Sequence, residues 1–145
     1  MRILKALLLP LLLILSLIGV DKLHDLMKPW GFGQLTGIDL EHETAGILPS
    51  STWKMRRYKQ QWSASDSLNA SIGQGYVSVS PLQLAVMTAR IASGKNLQPS
   101  LIFGHEKPVG PNLPFTAEQL QVAHDGMFRV VNGSGTGTGV RIDIG

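Results

Sequence analysis

The sequence contains no cysteine, which removes several kinds of chemistry at once. Disulfide bonds, thiol nucleophiles and cysteine-ligated metals are all excluded. The compartment stays open, although a cysteine-free chain is compatible with the bacterial periplasm, where unpaired thiols are a liability. The four histidines are scattered, with no pair at metal-ligand spacing, and Glu41-His42-Glu43 is typical of a solvated turn. We therefore predict no metal site and no cofactor.

Charged residues are also scarce, at 16% of the chain against 43% hydrophobic residues. This balance argues against disorder and favours a globular segment. The net charge is +3, and the basic residues form only one cluster, Lys54, Arg56, Arg57 and Lys59. A solvated surface is the favoured interpretation of this cluster, and a contact with phosphate or anionic lipid is the alternative. Because no basic stripe with interleaved aromatics follows, we predict no nucleic-acid partner.

A leucine-rich run at the N-terminus, Ala6 to Val20, follows the basic residues Arg2 and Lys5. This order resembles an uncleaved signal anchor. The run is shorter than the ~20 residues of a full membrane span, and it contains Pro10, which kinks a helix. A buried helix of a larger domain is the alternative. Both interpretations predict a hydrophobic helix over residues 1–20, ahead of a domain over residues 21–145.

Two later segments carry helix signals at both ends. Ser80 is a good N-cap, Pro81 suits the first helical position, Gln83 completes a capping box, and Gly94 suits the C-terminal end. A second capped helix is predicted from Thr116, with Gln119 three positions on, to Asn132 and Gly133. In the first of these helices, the small and apolar residues Leu82, Ala85, Ala89 and Ala92 line one face, with Leu84, Met87 and Ile91 beside them, which predicts a core helix packed on more than one side.

The remaining segments give weaker patterns. Helical spacing from Val20 predicts a helix to about Lys28 that ends at Pro29. Residues 31–61 show no sustained period and are predicted as a loop-rich excursion, and residues 66–80 as a second irregular stretch. Short runs predict strands at Ser100–Phe103 and Val140–Ile144. The expected fold class is therefore α/β (α+β), with helices, a few strands and long loops.

Three short motifs invite a functional interpretation. The Gly133–Gly139 loop alternates glycine with serine and threonine, but it lacks the lysine of a phosphate-binding loop. Ser51-Thr52-Trp53-Lys54 fits S-x-x-K, and Ser67-Leu68-Asn69 fits S-x-N, which are two of the three motifs of serine transpeptidases and β-lactamases. The third motif, K-T-G, is absent. Because Lys54 begins the basic cluster in a loop-rich stretch, instead of an apolar helix, we interpret both matches as coincidental.

Other stretches carry a resemblance to class B penicillin-binding proteins of the penicillin-binding protein 2 type. In chain order these stretches are Gly31–Leu40 (GFGQLTGIDL), Ala45–Ser50 (AGILPS) with Trp53-Lys54, Ser71–Gly75 (SIGQG) and Ser80–Ala85 (SPLQLA). The pair SIGQG and SPLQLA is specific to penicillin-binding transpeptidases, and the earlier stretches narrow the resemblance to this type. The resemblance runs from about Gly19 to Gly145.

The resemblance implies an internal piece of a transpeptidase domain with the penicillin-binding-protein/β-lactamase-like fold. The piece corresponds to the stretch after the S-x-N motif and before K-T-G, so the family's catalytic S-x-x-K serine would lie upstream of Met1. The matches at Ser51 and Ser67 align with family positions that are not catalytic. We therefore expect no catalytic, cofactor-binding or metal-binding residue in this chain, with the loops 31–61 and 71–75 supporting the cleft.

The function implied by the resemblance is peptidoglycan synthesis by a serine-type D,D-transpeptidase of the bacterial cell wall, a family that maintains cell shape. The full-length family protein would bind the peptidoglycan stem peptide and β-lactams, whereas this chain is expected to be inactive alone. The implied location is the periplasmic face of the inner membrane. The alternatives are a membrane-anchored, non-catalytic fragment that contacts cell-wall synthesis proteins, and a gene remnant.

Overall fold

A computed structural model describes residues 17–105 and 107–142. In these ranges the chain forms five complete α-helices joined by long loops: α1 (Val20–Met27), α2 (Ser51–Tyr58), α3 (Ala64–Ser71), α4 (Pro81–Ser93) and α5 (Ala117–Asn132). Turns of 3₁₀ helix lie at Lys28–Trp30 and Thr138–Val140. The predicted hydrophobic helix of residues 1–20 falls mostly outside the described residues. In the described part, no helix is long and apolar enough to cross a bilayer.

Helix α4 begins and ends as the sequence predicts. The Ser80 hydroxyl accepts a hydrogen bond from the Gln83 N–H at 3.1 Å, and the Gln83 side-chain oxygen accepts one from the Ser80 N–H at 2.9 Å. This reciprocal pair is a complete capping box, and it satisfies two backbone donors at the helix start. Gly94 ends the helix with a φ of +67°, a value that favours glycine.

The buried face of α4 agrees with the predicted apolar surface at Ile91 but otherwise differs from it. The buried residues are Gln83, Val86, Arg90 and Ile91, whereas the predicted stripe is largely exposed at Ala85, Ala89 and Ala92. The difference arises because the polar ends of Gln83 and Arg90 find backbone carbonyl partners in the loops, which allows these two side chains to be buried. The alanine stripe is left uncovered by the described residues.

Helix α5 also begins at its predicted N-cap. Thr116 and Gln119 form a second complete capping box. A ring nitrogen of His124 lies 2.7 Å from the carbonyl oxygen of Ile91 and joins α5 to α4. None of the α5 residues is buried, and the side chains of Val122 and Phe128 are largely exposed. The helix therefore covers α4 with only part of its apolar surface.

Two helices lie where irregular structure was predicted. Helix α2 is capped by Ser50, whose hydroxyl accepts from the Trp53 N–H at 3.0 Å. Helix α3 is capped by Ser63 through a capping box with Asp66. Each helix has eight residues, and only Lys54 in α2 and Ala70 in α3 are buried. The spacing of apolar residues does not indicate these two helices, because they bury almost no apolar face. Their serine N-caps are the sequence signal that could have located them.

The predicted strands are wrong within the described residues. Ser100–Phe103 forms part of an exposed turn in which Phe103 is 98% exposed. The residues from Thr138 to Val140 form a 3₁₀ turn, and residues 143–145 lie outside the described part. Pairing is limited to two isolated antiparallel bridges, Ile47 with Ser78 and Lys95 with Asn112. A strand needs a neighbouring strand for its backbone groups, and none of the described segments supplies one.

Gly46 lies where the chain has no room for a side chain. Its φ is +62°, and a Cβ atom there would lie 2.3 Å from the carbonyl oxygen of Ser78. The next residue, Ile47, exchanges backbone hydrogen bonds of 2.7 and 3.0 Å with Ser78. The close approach of these two backbone segments therefore requires glycine at position 46.

Substitution of Gly46 by alanine is expected to destabilise the fold more than the same substitution at Gly73. Both residues have φ near +70°, so both changes carry the strain of about 1–2 kcal/mol for a left-handed residue. Only Gly46→Ala adds a backbone overlap, with a further cost of about 1–3 kcal/mol, because the space around Gly73 is open. Urea unfolding followed by tryptophan fluorescence measures the difference. Equal losses for the two variants would contradict this account.

Candidate functional site

Among the residues that the structure describes, Gln83 is the most deeply buried polar residue, with 0% exposure. Its oxygen accepts the Ser80 N–H, as described above, and its nitrogen donates to the carbonyl oxygens of Gln34 at 2.9 Å and Ala45 at 2.8 Å. Both ends of the amide are thus satisfied. The result is that the start of α4 is joined to two separate points of the 31–49 loop.

Arg90 makes a second connection, two turns further along α4. Its Nη1 donates to the carbonyl oxygen of Pro29 at 3.0 Å, and its Nε donates to that of Leu97 at 3.1 Å. A Cβ at Gly31 would lie 3.0 Å from Nη1, so a glycine at this position lets the guanidinium approach the backbone. Gln83 thus holds the 31–49 loop against α4, and Arg90 holds the 3₁₀ turn before that loop and the segment after α4.

Asp39 joins the far part of the same loop to the segment that follows α4. Its carboxylate accepts from the Ser100 hydroxyl at 2.6 Å and the Leu101 N–H at 3.2 Å, and it forms a salt bridge of 3.0 Å with Lys107. The hydrogen bonds from Ser100 and Lys107 lower the pKa of Asp39 to about 2. Asp39 is therefore ionised, and it links the loop to residues 100–107.

Ser51 is the first residue of α2, which is the position that a nucleophilic serine would need. Its hydroxyl donates to Asp21 Oδ2 at 2.6 Å, and its N–H donates to Asp21 Oδ1 at 2.8 Å. The side-chain hydrogen bond with Ser51 is the largest effect that lowers the pKa of Asp21. Ser51 is thus engaged by a carboxylate of α1, and the contact ties α1 to α2.

Lys54 is buried, so its prediction as part of a solvated, loop-rich cluster is wrong. The residue lies one helical turn after Ser51, and its ammonium forms a salt bridge and hydrogen bond with Asp66 of α3. The rings of Trp62 and Tyr76 lie 5.9 and 5.5 Å from the ammonium, within cation–π range. Hydrogen bonding to Asp66 raises the pKa of Lys54 above its usual value. Burial is therefore compensated by a carboxylate and by aromatic faces.

Tyr76 is the centre of an aromatic cluster around Lys54. Its ring centroid lies 5.4 Å from that of Trp53, 5.2 Å from Tyr58 and 6.2 Å from Trp62. Tyr76 directly follows the SIGQG stretch. The ring that follows the glycine-rich motif therefore lies between α2 and α3. Its edge-on and tilted contacts with neighbouring rings stabilise the fold by more than their buried area alone would.

The S-x-N match in α3 also makes structural contacts. The Ser67 hydroxyl accepts from the indole nitrogen of Trp62 at 2.8 Å. The Asn69 carbonyl accepts from the Gln74 N–H at 2.9 Å, and the Asn69 side chain packs 3.1 Å from where a Cβ would stand on Gly75. These contacts shape the turn between α3 and Tyr76. In the described part of the chain, no group of three or more histidine or acidic side chains could hold a metal ion.

The comparison with known proteins identifies the family. Residues 11–144 match the family described as the penicillin binding protein transpeptidase domain. Because this match covers most of the chain, the chain belongs to the penicillin-binding protein transpeptidase family. The motifs that carry the resemblance also make the contacts described above. Gln34 of GFGQ and Ala45 of AGIL supply the carbonyl partners of Gln83, and Asp39 belongs to TGIDL.

The relatives are of the penicillin-binding protein 2 type, as the sequence predicts. The chain is 35% identical over 133 residues to the peptidoglycan D,D-transpeptidase MrdA of Haemophilus influenzae, a match that covers 83% of this chain and 20% of that protein. It is 39% identical over 101 residues to MrdA of Salmonella typhimurium, covering 68% of this chain and 16% of that protein. The chain thus spans about a fifth of the length of the curated relatives it matches.

Solved structures of the same type share the fold. The Helicobacter pylori penicillin-binding protein PBP2 in complex with MreC matches with a TM-score of 0.80 at 32% identity, over 87% of this chain and 24% of that chain. Pseudomonas aeruginosa PBP2 in complex with WCK 5153 matches with a TM-score of 0.77 at 31% identity, over 90% of this chain and 32% of that chain. The long loops and short helices are therefore those of a transpeptidase domain.

A double-variant cycle on Lys54 and Asp66 is expected to be strongly non-additive. Lys54→Met leaves a carboxylate without its ammonium, and Asp66→Asn leaves a buried ammonium without its carboxylate, so each single change destabilises the fold. Lys54→Met/Asp66→Asn removes both charges, so it should lose less stability than the two single changes combined. Lys59→Met, at an exposed position of the same cluster, serves as the control and should change the urea midpoint little. Additive losses in the cycle would contradict a coupled pair.

Proposed function

We propose that this chain is a non-catalytic part of a peptidoglycan D,D-transpeptidase, with residues 21–145 forming the stretch between the S-x-N and K-T-G motifs. In the whole enzyme, an activated serine attacks the D-Ala-D-Ala carbonyl, releases the terminal D-alanine, and passes the acyl group to an amine. The chain carries no K-T-G. Its role would be to support the cleft that binds the stem peptide and β-lactams.

The separate carboxylate partners of Ser51 and Lys54 carry this proposal. A serine nucleophile needs a neighbouring base to accept its proton. Here the Ser51 hydroxyl donates to Asp21, which its lowered pKa makes a weak base, and the Lys54 ammonium is held by Asp66. The raised pKa of Lys54 favours its charged form, which cannot accept a proton. We infer that both residues have structural roles and that Ser67 and Asn69 likewise shape the turn before Tyr76.

The supporting role follows from the connections made by α4. Gln83 holds the loop of residues 31–49 directly, Arg90 holds Pro29 just before the loop, and Asp39 joins the loop to Ser100. Such backbone anchoring gives a long loop a defined shape without secondary structure of its own. In the whole enzyme, this shape would form one wall of the cleft.

The purified chain is expected to remain unlabelled by a fluorescent penicillin. Without a serine–lysine pair, acylation should be at least about a thousandfold slower than that of a full-length penicillin-binding protein 2. Gel fluorescence measures the labelling, with the full-length Helicobacter pylori protein as the positive control. A covalent adduct on Ser51, located by mass spectrometry and lost in Ser51→Ala, would overturn the proposal.

A second function is a membrane-anchored fragment that contacts cell-wall synthesis proteins at the periplasmic face of the inner membrane. Two observations favour it: the leucine-rich run from Ala6 to Val20, and the similarity to a relative whose structure contains the partner MreC. In this case the run would act as the tether, and the transpeptidase-like surface would make the contact.

Two charges in the leucine-rich run are expected to release the chain from bacterial membranes. Leu8→Arg/Leu12→Arg places charges in the run, where each is costly in a bilayer. Leu35→Arg/Leu40→Arg is the matched control, because both side chains are 59% exposed in the folded part. Membrane fractionation should move the first variant to the supernatant and leave the control in the pellet. A wild-type chain found entirely in the supernatant would exclude the anchored function.

A further inference from the structure

An open cleft of about 570 Å³ lies between α1 and α2, on the side of α2 that faces away from Asp66 and α3 in neither lining nor contact. Its lining consists of His24 of α1, the N-cap residue Ser50, and Thr52, Trp53, Arg56 and Arg57 of α2. Two of these side chains are cationic, a third can become so, and none is acidic. The α1–α2 cleft therefore attracts anions.

The two arginines of the cleft are brought together by helical spacing. Arg56 follows Thr52 by four residues, and Arg57 follows Trp53 by four, so each arginine shares a face of α2 with a residue of its first turn. Side chains of a helix lean towards its N-terminal end. Both guanidinium groups therefore line the same cleft as Ser50 and Thr52.

No counter-charge is supplied to these arginines by the described residues. Arg56 and Arg57 are exposed and form no ion pair with any described side chain. The carboxylates that lie close to α2 are already engaged, since both oxygens of Asp21 accept from Ser51 and Asp66 forms the salt bridge described above. Two adjacent like charges repel each other, and a bound anion would relieve that repulsion.

His24 contributes from α1, and the backbone fixes its orientation. Its Nδ1 lies 3.1 Å from the carbonyl oxygen of Leu48 and 3.3 Å from that of Pro49. Carbonyl oxygens only accept hydrogen bonds, so Nδ1 carries a proton. The other ring nitrogen, Nε2, has no hydrogen-bond partner among the described residues. In the imidazolium form, Nε2 would donate a hydrogen bond to an anion in the cleft and add a third positive charge.

Trp53 gives the cleft a rigid side wall. The residue is half-buried, and its ring makes edge-on contacts with Tyr58 at 5.7 Å and with Tyr76 at 5.4 Å between centroids. These contacts hold the indole in place beside the arginines. An indole face next to cationic groups suits a ligand with a charged group and an organic part.

We propose that the α1–α2 cleft binds a phosphate group, carried either by a soluble phosphate ester or by a phospholipid headgroup. Arg56 and Arg57 would donate to its oxygens from α2, and His24 would donate from α1. The planar fork of a guanidinium matches the geometry of phosphate, and such charged hydrogen bonds are strong. A carboxylate has only two oxygens for these three donors, so phosphate is the better match. The site does not depend on the transpeptidase role proposed above.

The test uses glycerol 3-phosphate, with acetate at equal ionic strength for comparison. Glycerol 3-phosphate added to the full chain should shift the indole N–H signal of Trp53 and the side-chain Nε–H signals of Arg56 and Arg57. These NMR shifts should saturate with a dissociation constant on the order of 1 mM. Acetate should bind at least about fivefold more weakly, because it engages fewer donors.

Two double variants identify the groups that act on the ligand. Arg56→Gln/Arg57→Gln should weaken binding of glycerol 3-phosphate at least about tenfold, whereas Arg56→Lys/Arg57→Lys, which keeps the charges but removes the forks, should weaken it about threefold or more. Lys22→Gln/Arg129→Gln is the matched control, because it removes two exposed positive charges outside the cleft. The control should change the dissociation constant less than about twofold.

Vesicles distinguish the two sources of the phosphate group. If the ligand is a phospholipid headgroup, the wild-type chain should prefer phosphatidylglycerol vesicles to phosphatidylcholine vesicles, and Arg56→Gln/Arg57→Gln should lose that preference. If the ligand is a soluble ester, this substitution should leave vesicle binding unchanged while it still weakens binding of glycerol 3-phosphate. Both outcomes support a phosphate site. The leucine-rich run is the same in both chains, so its contribution to vesicle binding cancels.

Three results would overturn the proposal. The first is the absence of a saturable shift with glycerol 3-phosphate, and the second is acetate binding of equal strength. The third is an equal loss in Arg56→Gln/Arg57→Gln and in the control Lys22→Gln/Arg129→Gln, since attraction would then come from the net charge of the chain. The titration is read from NMR shifts, so its failure is distinguishable from any outcome of the penicillin-labelling test.

Discussion

The side-chain amide of Gln83 joins parts of the chain that are 38 to 49 residues apart in sequence. Its oxygen closes the capping box of α4, and its nitrogen donates to two loop carbonyls, so one residue both starts a helix and positions a loop. The apolar core around it is small, consisting of a few residues such as Phe32 and Val86. Because the described part of the chain buries so little apolar surface, its single defined arrangement depends on satisfied polar contacts.

The sequence predicts those parts of the fold that are set by local chemistry. Both capped helices, α4 and α5, begin at the serine or threonine that the capping box indicates, because a cap involves only neighbouring residues. The short helices α2 and α3 were missed, since their stability comes from the contacts of Lys54 with Asp66 and Tyr76, which are distant in sequence. The family is recognisable from the sequence because its motifs contain the residues whose carbonyl groups and turns form such contacts.

The buried polar residues of the site show more clearly than the helices what the sequence alone does not predict. Gln83 is visible as a capping residue, but its second role requires knowing that the Gln34 and Ala45 carbonyls come within reach. Arg90 carries no sequence signal for burial, because an arginine on a helix is normally exposed. Lys54 was assigned to the surface by its basic neighbours, although Asp66 and two aromatic rings accommodate its charge inside.

Gln83 binds the 31–49 loop, and Arg90 binds Pro29 just before it, through main-chain oxygens and not through side chains. The identity of an outward-facing loop residue, such as Leu35 or Leu40, is therefore nearly irrelevant to how the loop is held. What the anchoring does restrict is the path of the main chain, which depends on glycines at positions such as 31 and 46. The outward-facing residues of this loop could therefore be redesigned, provided that its glycines and the Asp39 carboxylate are kept.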